Sequence, residues 1–311
     1  MVSSESLTTT PTTTTSEVDF IEGHVTVSKN RGTPFDLYYQ LHGNGPNKVI
    51  LVMGFMTDCT AWRLQLEYFK QLSNEYQVCV FDNRGIGKSS NPASHYTTND
   101  MAIDTKELLD HLQWERVHLV GVSMGGMISL EFAATFPQRL HSIALCVTHA
   151  GSLPPMSGMR IMLKTFTIKD HRERGKVLMP VLYSPEYLLT TSDTGRPMED
   201  VLIDDYVERM ISTKKPDPSV VVGHLKTVST HHVSSKRLAA IKNSAVPILI
   251  MCGGEDHLVK TSNSFYLRDK LSPAEFIQFA QSGHCINVEH TQEFNEALVK
   301  NFGRAAAGLL K

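Results

Sequence analysis

Residues 117–126 read VHLVGVSMGG, in which an apolar run leads into a serine set between glycines. The run before Ser123 is short and apolar, which is typical of a buried strand, and residues 124–136 have helical apolar spacing. A serine hydroxyl is a weak nucleophile unless it is exposed beside a base. A sharp strand-to-helix turn flanked by small residues exposes it in this way. The segment therefore predicts a strand, a turn and a helix, with Ser123 as a nucleophile.

Strand and helix patterns alternate on both sides of this segment. Apolar or alternating runs predict strands, and 3.6-residue periodicity predicts helices between them. The predicted strands are 24–28, 36–41, 48–53, 76–81, 117–120, 143–147, 246–252 and 275–279, and the helices are 62–72, 98–112, 124–136, 262–271 and one from 291. Such alternation predicts an α/β fold with a mostly parallel central sheet covered by helices on both faces.

The alternation is interrupted once, so four regions are predicted. Residues 1–17 are rich in Thr and Ser and predict a disordered tail. Residues 18–150 and 237–311 form the two parts of the α/β core. Residues 151–236 lack a strand pattern and predict an inserted helical cap, with helices at 158–166, 171–183, 197–211 and 219–231.

Two further side chains follow later strands and complete a catalytic set. Asp256 comes just after the strand 246–252, and His284 just after the strand 275–279. The carboxyl ends of parallel strands meet at one edge of a sheet, where open α/β folds bind their ligands. We therefore predict that Ser123 attacks, that His284 takes its proton, and that Asp256 orients and stabilises the imidazolium.

Three neighbouring residues compete for these roles. Glu255 adjoins Asp256, but neighbours on an extended segment point in opposite directions, so only one faces the site. His257 lies beside the acid, where it is badly placed to bridge it to the serine. His290 is interpreted as a polar residue at the start of the last helix.

The bulk composition excludes several classes of function. The 311-residue chain has a formal net charge of −2, which gives no electrostatic reason to bind nucleic acid. Its five cysteines are scattered, which favours a reducing compartment. The start has no signal-peptide pattern, and no apolar run reaches the ~18 residues of a membrane span. We expect a cytoplasmic protein with no transmembrane segment.

No cofactor and no metal are expected. His224, His231 and His232 are close in sequence, but no cysteine or carboxylate has matching metal-ligand spacing.

Four segments together resemble the α/β-hydrolase superfamily, in its serine esterase and lactonase-like members with a helical cap. They are DNRGIGKS at 82–89, GVSMGG at 121–126, GGEDHLV at 253–259 and SGHCINVEH at 282–290. The resemblance runs from about residue 35 to 302. It implies the α/β-hydrolase fold, and it implies a structural role for Asp82 and Arg84 in the first of these segments.

The resemblance also implies an oxyanion hole made of two backbone N–H groups. One is that of Met124, and the second is expected from Phe55, with Met56 as the alternative. This chain has Met53-Gly54 where the family usually has His-Gly. A serine at the nucleophile position separates the chain from epoxide hydrolases and haloalkane dehalogenases of this fold, which have an aspartate there.

The expected activity is hydrolysis of a carboxylic ester through an acyl-enzyme, with a small to medium apolar substrate. A lactonase, thioesterase or C–C bond hydrolase would carry the same triad, and a slow-turnover ligand receptor of this fold is a further alternative. Met159, Phe166 and Tyr187 in the predicted cap are candidate substrate contacts; the alternative is that they pack the cap on the core. The expected partner is a small ester-like molecule, and the oligomeric state is left open.

Overall fold

The computed structural model describes residues 20–92, 95–152 and 155–308. The side chains of Met156, Ser157, Met159 and residues 306–308 lie outside that description. The predicted tail, residues 1–17, also lies outside it.

Eight strands form one sheet in the order β1-β2-β4-β3-β5-β6-β7-β8. They are β1 Phe20–Val27, β2 Phe35–His42, β3 Asn47–Val52, β4 Tyr76–Phe81, β5 Val117–Val122, β6 Leu140–Cys146, β7 Ile248–Gly253 and β8 Glu275–Phe279. β2 pairs antiparallel with both β1 and β4, and all later pairings are parallel. The predicted mostly parallel sheet is thus confirmed.

Helices cover both faces of the sheet because the central strands are apolar on both sides. Within β3, Ile50 and Val52 enter one buried cluster while Val49 and Leu51 enter the other. The first cluster packs against α2 Thr98–His111, α3 Met124–Thr135, α9 Ser235–Asn243 and α10 Thr261–Leu271. The second packs against α1 Arg63–Lys70, α11 Ile286–Glu289 and α12 Thr291–Gly308.

The described residues between β6 and β7 form six α-helices, of which α9 packs on the core. The other five lie within residues 155–230, which we call the helical insertion. They are α4 Met156–Thr165, α5 His171–Leu182, α6 Pro185–Leu188, α7 Met198–Ser212 and α8 Pro218–Thr230. α5 and α7 share a small apolar core that includes Met179, Tyr183 and Tyr206. Side-chain oxygens of Asp170, Ser184 and Asp217 accept backbone N–H bonds at the starts of α5, α6 and α8.

The structure differs from the sequence prediction at three short α-helices and at the starts of two strands, β1 and β6. β6 begins at Leu140 and not at residue 143. α6, α9 and α11 were not predicted, because stretches of four to nine residues show too little periodicity. β1 begins at Phe20 and not at residue 24, since its outer half is solvent-facing and Ile21 is 66% exposed. Among the described residues, no helix is both long and apolar enough to cross a membrane.

Candidate active site

Ser123 lies between β5 and α3 in a strained backbone conformation. Its φ and ψ are 57° and −121°, a region that side-chain-bearing residues rarely adopt. The Ser123 N–H donates to the Cys146 carbonyl at 2.9 Å, and Thr148 Oγ1 donates to the Ser123 carbonyl at 2.8 Å. The hydroxyl makes no capping bond to α3. Hydrogen bonds with Cys146 of β6 and with Thr148 after it therefore fix the Ser123 backbone, while Ser123 Oγ is not used for capping.

Close packing around Ser123 explains two glycines, Gly125 in α3 and Gly54 in the loop after β3. A Cβ on Gly125 would lie 2.0 Å from the Val52 carbonyl oxygen at the end of β3. A Cβ on Gly54 would lie 3.1 Å from the Ser123 Cβ. The loop after β3 thus comes within van der Waals distance of Ser123, where the predicted oxyanion donors are needed.

Asp256 and His284 form a hydrogen-bonded pair. Asp256 Oδ2 lies 2.8 Å from His284 Nδ1, and the two side chains are only 2% and 8% exposed. Asp256 Oδ1 accepts the N–H groups of Leu258 and Val259, each at 2.8 Å. Because Oδ2 accepts at Nδ1, the neutral imidazole carries its proton there, and the Nε2 lone pair is left to take a proton.

The loops that carry this pair also pack on each other. The Gly254 N–H donates to the Phe279 carbonyl at 2.8 Å, and the Glu255 N–H to the Ser282 carbonyl at 2.9 Å. Glu255 itself is exposed, as is His257, and the His290 ring stacks on Phe279 with centroids 4.4 Å apart. The structure thus brings Asp256 to His284, while the three competing residues lie elsewhere.

Ser123, Asp256 and His284 follow β5, β7 and β8, whose carboxyl ends lie on one edge of the sheet. This is the edge at which open α/β sheets bind ligands. Residues after β6 lie at the same edge, and sequence reasoning missed them. Thr148 fixes the Ser123 carbonyl, and His149 Nδ1 accepts the N–H groups of Gly151 and Ser152. Burial lowers the pKa of His149 to about 4.

The two residues predicted to supply the oxyanion donors are Met124, which follows the serine, and Phe55, in the loop after β3. Met124 is buried and is the first residue of α3, so its N–H has no partner within the helix. Asn83 Nδ2 donates to the Met53 carbonyl at 3.0 Å, and Thr57 Oγ1 to the Phe55 carbonyl at 3.0 Å. Both bonds fix the loop that carries Phe55, and Met56 in that loop has a φ of 53°.

The loop after β4 contains Asp82 and Arg84, and both side chains make buried hydrogen bonds to neighbouring segments. The Asp82 carboxylate accepts the N–H groups of Cys59 and Lys88, each at 2.8 Å, and its burial raises its pKa. Arg84 Nε donates to the buried Asp104 carboxylate at 2.8 Å. Asp82 thus fixes the loop after β4 to the segment that follows β3, and Arg84 fixes the same loop to α2.

A family model described as the alpha/beta hydrolase fold matches residues 47–291, which contain all of this geometry. The chain belongs to the α/β-hydrolase family.

Relatives within this family differ in what they act on. The chain is 27% identical over 312 residues to a 2-hydroxy-6-oxononadienedioate/2-hydroxy-6-oxononatrienedioate hydrolase from Paraburkholderia phymatum, covering 96% of this chain and 99% of that one. It is 26% identical over 269 residues to the dihydrolipoyllysine-residue acetyltransferase component of an acetoin cleaving system from Pseudomonas putida, covering 84% of this chain and 65% of that one. The crystal structure of the enol-lactonase from Burkholderia xenovorans has a similar fold, with a TM-score of 0.72, 21% identity, and coverage of 86% and 97%.

In this α/β-hydrolase, three helices of the insertion contact loops that carry predicted site residues. A Cβ on Gly158 in α4 would lie 2.2 Å from the His257 carbonyl oxygen in the acid loop. The Leu182 carbonyl at the end of α5 accepts the His284 N–H at 2.8 Å. The His224 ring in α8 packs edge-on against the Phe55 ring, with centroids 5.9 Å apart. Each of these contacts lies at the carboxyl edge of the sheet.

The two predicted substrate contacts that the structure describes have different surroundings. Phe166 ends α4 and is 42% exposed. Tyr187 in α6 stacks on Tyr183 at 5.9 Å and lines a groove with Phe279 and His290. The Met159 side chain lies outside the described part of the chain. The roles of all three in substrate binding stay predictions.

Two of the three histidines considered as metal ligands are bonded to protein atoms. His224 Nε2 lies 3.1 Å from the Arg84 carbonyl oxygen, and His231 Nδ1 lies 2.8 Å from Thr98 Oγ1. Within residues 20–92, 95–152 and 155–308, no group of three His, Cys, Asp or Glu side chains is arranged to hold a metal.

Proposed function

We propose that this α/β-hydrolase cleaves a carboxylic ester of a small to medium apolar substrate through an acyl-enzyme at Ser123. The observation that carries the proposal is the buried Asp256–His284 pair at the sheet edge that also carries Ser123. The pair supplies an oriented base, and the strained turn supplies a hydroxyl not used for capping. An activated nucleophile requires both.

In the proposed mechanism, Ser123 Oγ attacks the ester carbonyl carbon while its proton moves to His284 Nε2. The N–H groups of Met124 and Phe55 stabilise the oxyanion, with Met56 as the alternative donor. The imidazolium, stabilised by Asp256, gives its proton to the departing alcohol, and the acyl-enzyme remains. His284 then takes a proton from a water molecule, whose oxygen attacks the acyl carbon. The imidazolium returns this proton to Ser123 Oγ as the bond between the acyl carbon and Oγ breaks, which releases the carboxylic acid and restores the hydroxyl.

We further propose that the helical insertion acts as a cap that affects substrate choice and takes no part in proton transfer. The contacts of α4, α5 and α8 with three loops of the site support this role. A structure above the carboxyl edge excludes water and contacts remote parts of the substrate. Such contacts change kcat/KM between substrates.

A second candidate is hydrolysis of a carbon–carbon bond by the same three residues. The relative from Paraburkholderia phymatum, named for its action on 2-hydroxy-6-oxononadienedioate, matches this chain over almost its whole length. That relative favours C–C bond hydrolysis over the lactonase, thioesterase and receptor alternatives as the runner-up.

The test is a substrate panel assayed with the wild type and with Ser123→Ala. The panel contains p-nitrophenyl esters of graded chain length, lactones, acyl thioesters and 2-hydroxy-6-oxo-dienoates. We expect steady p-nitrophenol release by the wild type and a loss in kcat of about 10⁶-fold in the variant. A fluorophosphonate probe should label the wild type at Ser123 only, as peptide mass mapping would show.

Three outcomes would contradict the ester proposal. Turnover of dienoates alone, with no ester release, would establish the second candidate. Stoichiometric labelling without steady turnover on any substrate would favour a receptor. Undiminished activity in Ser123→Ala would remove the nucleophile assignment altogether.

We also propose a cytoplasmic location. All five cysteines are free, and four of them are buried. Thiols persist in this state in reducing compartments. Counting alkylatable thiols after denaturation without reductant tests this proposal, and fewer than five would contradict it.

A further inference from the structure

The loop that carries His284 is hydrogen-bonded to the helical insertion through main-chain atoms. Leu182 is the last residue of α5, and its carbonyl accepts the N–H of His284 at 2.8 Å and that of Cys285 at 2.9 Å. Carbonyls at a helix end have no partner within the helix. The end of α5 and the backbone of the histidine therefore satisfy each other.

The carboxylate of Glu289 joins the same two segments a second time. Its Oε1 accepts the Gly283 N–H at 2.8 Å and the Ser184 N–H at 3.2 Å, and its Oε2 accepts Ser184 Oγ at 2.7 Å. Gly283 immediately precedes His284, and Ser184 is the N-cap of α6. Hydrogen bonds to a charged acceptor are about twice as strong as neutral ones. One side chain thus fixes the histidine loop and the α5–α6 junction together.

The loop has little room to move away from this arrangement. A Cβ on Gly283 would lie 2.8 Å from the Leu182 carbonyl oxygen on the insertion side. On the other side, a Cβ on Gly253 would lie 2.0 Å from the Gly283 carbonyl oxygen. The histidine loop is therefore held between the insertion and the acid loop. Its position determines the 2.8 Å contact between His284 and Asp256.

We propose that Glu289 is a positioning residue that couples the docking of α5 and α6 to the orientation of His284. This inference rests on the proposed role of His284 as the base. Without the carboxylate, the N–H groups of Gly283 and Ser184 lose their acceptor. The two segments are then joined by the Leu182 carbonyl, the contact between Tyr183 and Cys285 and apolar packing. His284 then samples positions in which its bond to Asp256 is longer, and proton transfer from Ser123 slows.

The test compares Glu289→Ala, Glu289→Gln and Ser184→Ala with the wild type and with Glu186→Ala. Glu186 is an exposed carboxylate two residues beyond Ser184 in the same groove, which makes it the matched control. For Glu289→Ala we expect kcat and the rate of fluorophosphonate labelling to fall about tenfold to a hundredfold, since a misplacement of about 1 Å has effects of this size. Glutamine keeps an acceptor oxygen, so Glu289→Gln should stay within about fivefold of the wild type.

A comparison of kcat with KM separates positioning from a purely structural role. A weaker contact between Asp256 and His284 stabilises the imidazolium of the transition state less and leaves substrate binding in the ground state unchanged. In Glu289→Ala kcat should therefore fall at unchanged KM, Glu289→Gln should restore it, and Ser184→Ala should show a smaller fall of the same kind. A purely structural role would lower the melting temperature and leave kcat of the folded protein in place.

The outcomes distinguish this inference from the proposed function. If the wild type is not labelled at Ser123, the proposed function fails. If it is labelled, and folded Glu289→Ala keeps the wild-type kcat and labelling rate, the inference alone is overturned. If Glu289→Ala does not fold, Ser184→Ala decides: a lower kcat at unchanged KM with slower labelling supports the coupling, and wild-type values overturn it.

Discussion

At the scale of single residues, the environment of Asp256 distinguishes it from its neighbour Glu255. Its carboxylate accepts three hydrogen bonds, one from His284 and two from the backbone. Glu255 is exposed, and only its backbone N–H is bonded to the histidine loop. The two adjacent acids thus have different surroundings, although their sequence context is the same.

We predict that Asp256→Asn lowers kcat by about 10⁴-fold, because an amide presented to Nδ1 favours the wrong imidazole tautomer. Glu255→Gln is the matched control and should stay within about tenfold, which is under ~1.4 kcal/mol of activation free energy. Steady-state kinetics on the best ester of the panel measures both. The reverse ranking of the two variants would mean that the acid is misassigned.

Residue-level prediction from sequence depends on side chains that follow a strand. Ser123, Asp256 and His284 each follow a strand within five residues, so topology alone predicts that they lie at one edge of the sheet. Glu289 could not be found in this way, because its partner Ser184 is 105 positions away and belongs to the insertion. Likewise, no pattern in the sequence selects between Phe55 and Met56, since the choice depends on the path of one loop.

At the scale of secondary-structure elements, the insertion should alter substrate preference without removing the chemistry. We predict that at least one of Met159→Ala, Phe166→Ala and Tyr187→Ala changes the relative kcat/KM across the ester chain-length series about tenfold or more, a difference of ~1.4 kcal/mol. Labelling of Ser123 by fluorophosphonate should persist in each variant, because none of the three takes part in proton transfer.

Leu189→Ala is the matched control, because Leu189 is an apolar side chain of the same region that is 86% exposed. It should leave the preference unchanged. Equal losses on every substrate in the three test variants, or loss of the folded state, would instead mean that these side chains only pack the insertion.

Element prediction succeeded where a run was long and its burial pattern regular. The four long helices of the insertion lie within two residues of the predicted ranges at either end. α9 was missed, although Ser234 caps it and Leu238 and Ile241 face α3 and α10. Two apolar positions are too few to define a period. Such helices form because tertiary packing stabilises them.

At the scale of the whole molecule, buried histidines should make stability depend on pH. Burial lowers the pKa of His118 and of His231 to about 3, and the pKa of His149 and of His224 to about 4. The unfolded chain takes up protons near the ordinary value of about 6.5, while the folded chain does not. These groups thus contribute stability that is fully present above pH 6.5 and is lost as the pH falls toward 4.

We predict that the free energy of unfolding decreases below pH 6.5, by up to ~1.4 kcal/mol per pH unit for each of these four histidines. Urea unfolding at a series of pH values measures the slope. His118→Asn should reduce the slope, and His95→Asn, at an exposed position, should not. A stability that stays constant between pH 7 and 5 would contradict the prediction.

The place of the insertion in the chain also affects how the protein is made. β6 and β7 are neighbours in the sheet, yet β7 begins 102 positions after β6 ends. During synthesis, the edge of β6 that pairs with β7 therefore keeps unpaired N–H and C=O groups until the whole insertion and β7 have left the ribosome. Such an edge is a template for pairing with other chains, and distant strand pairs form slowly. The nascent chain is thus exposed to aggregation for longest between the emergence of β6 and the emergence of β7, and this is the interval in which chaperone binding would protect it most.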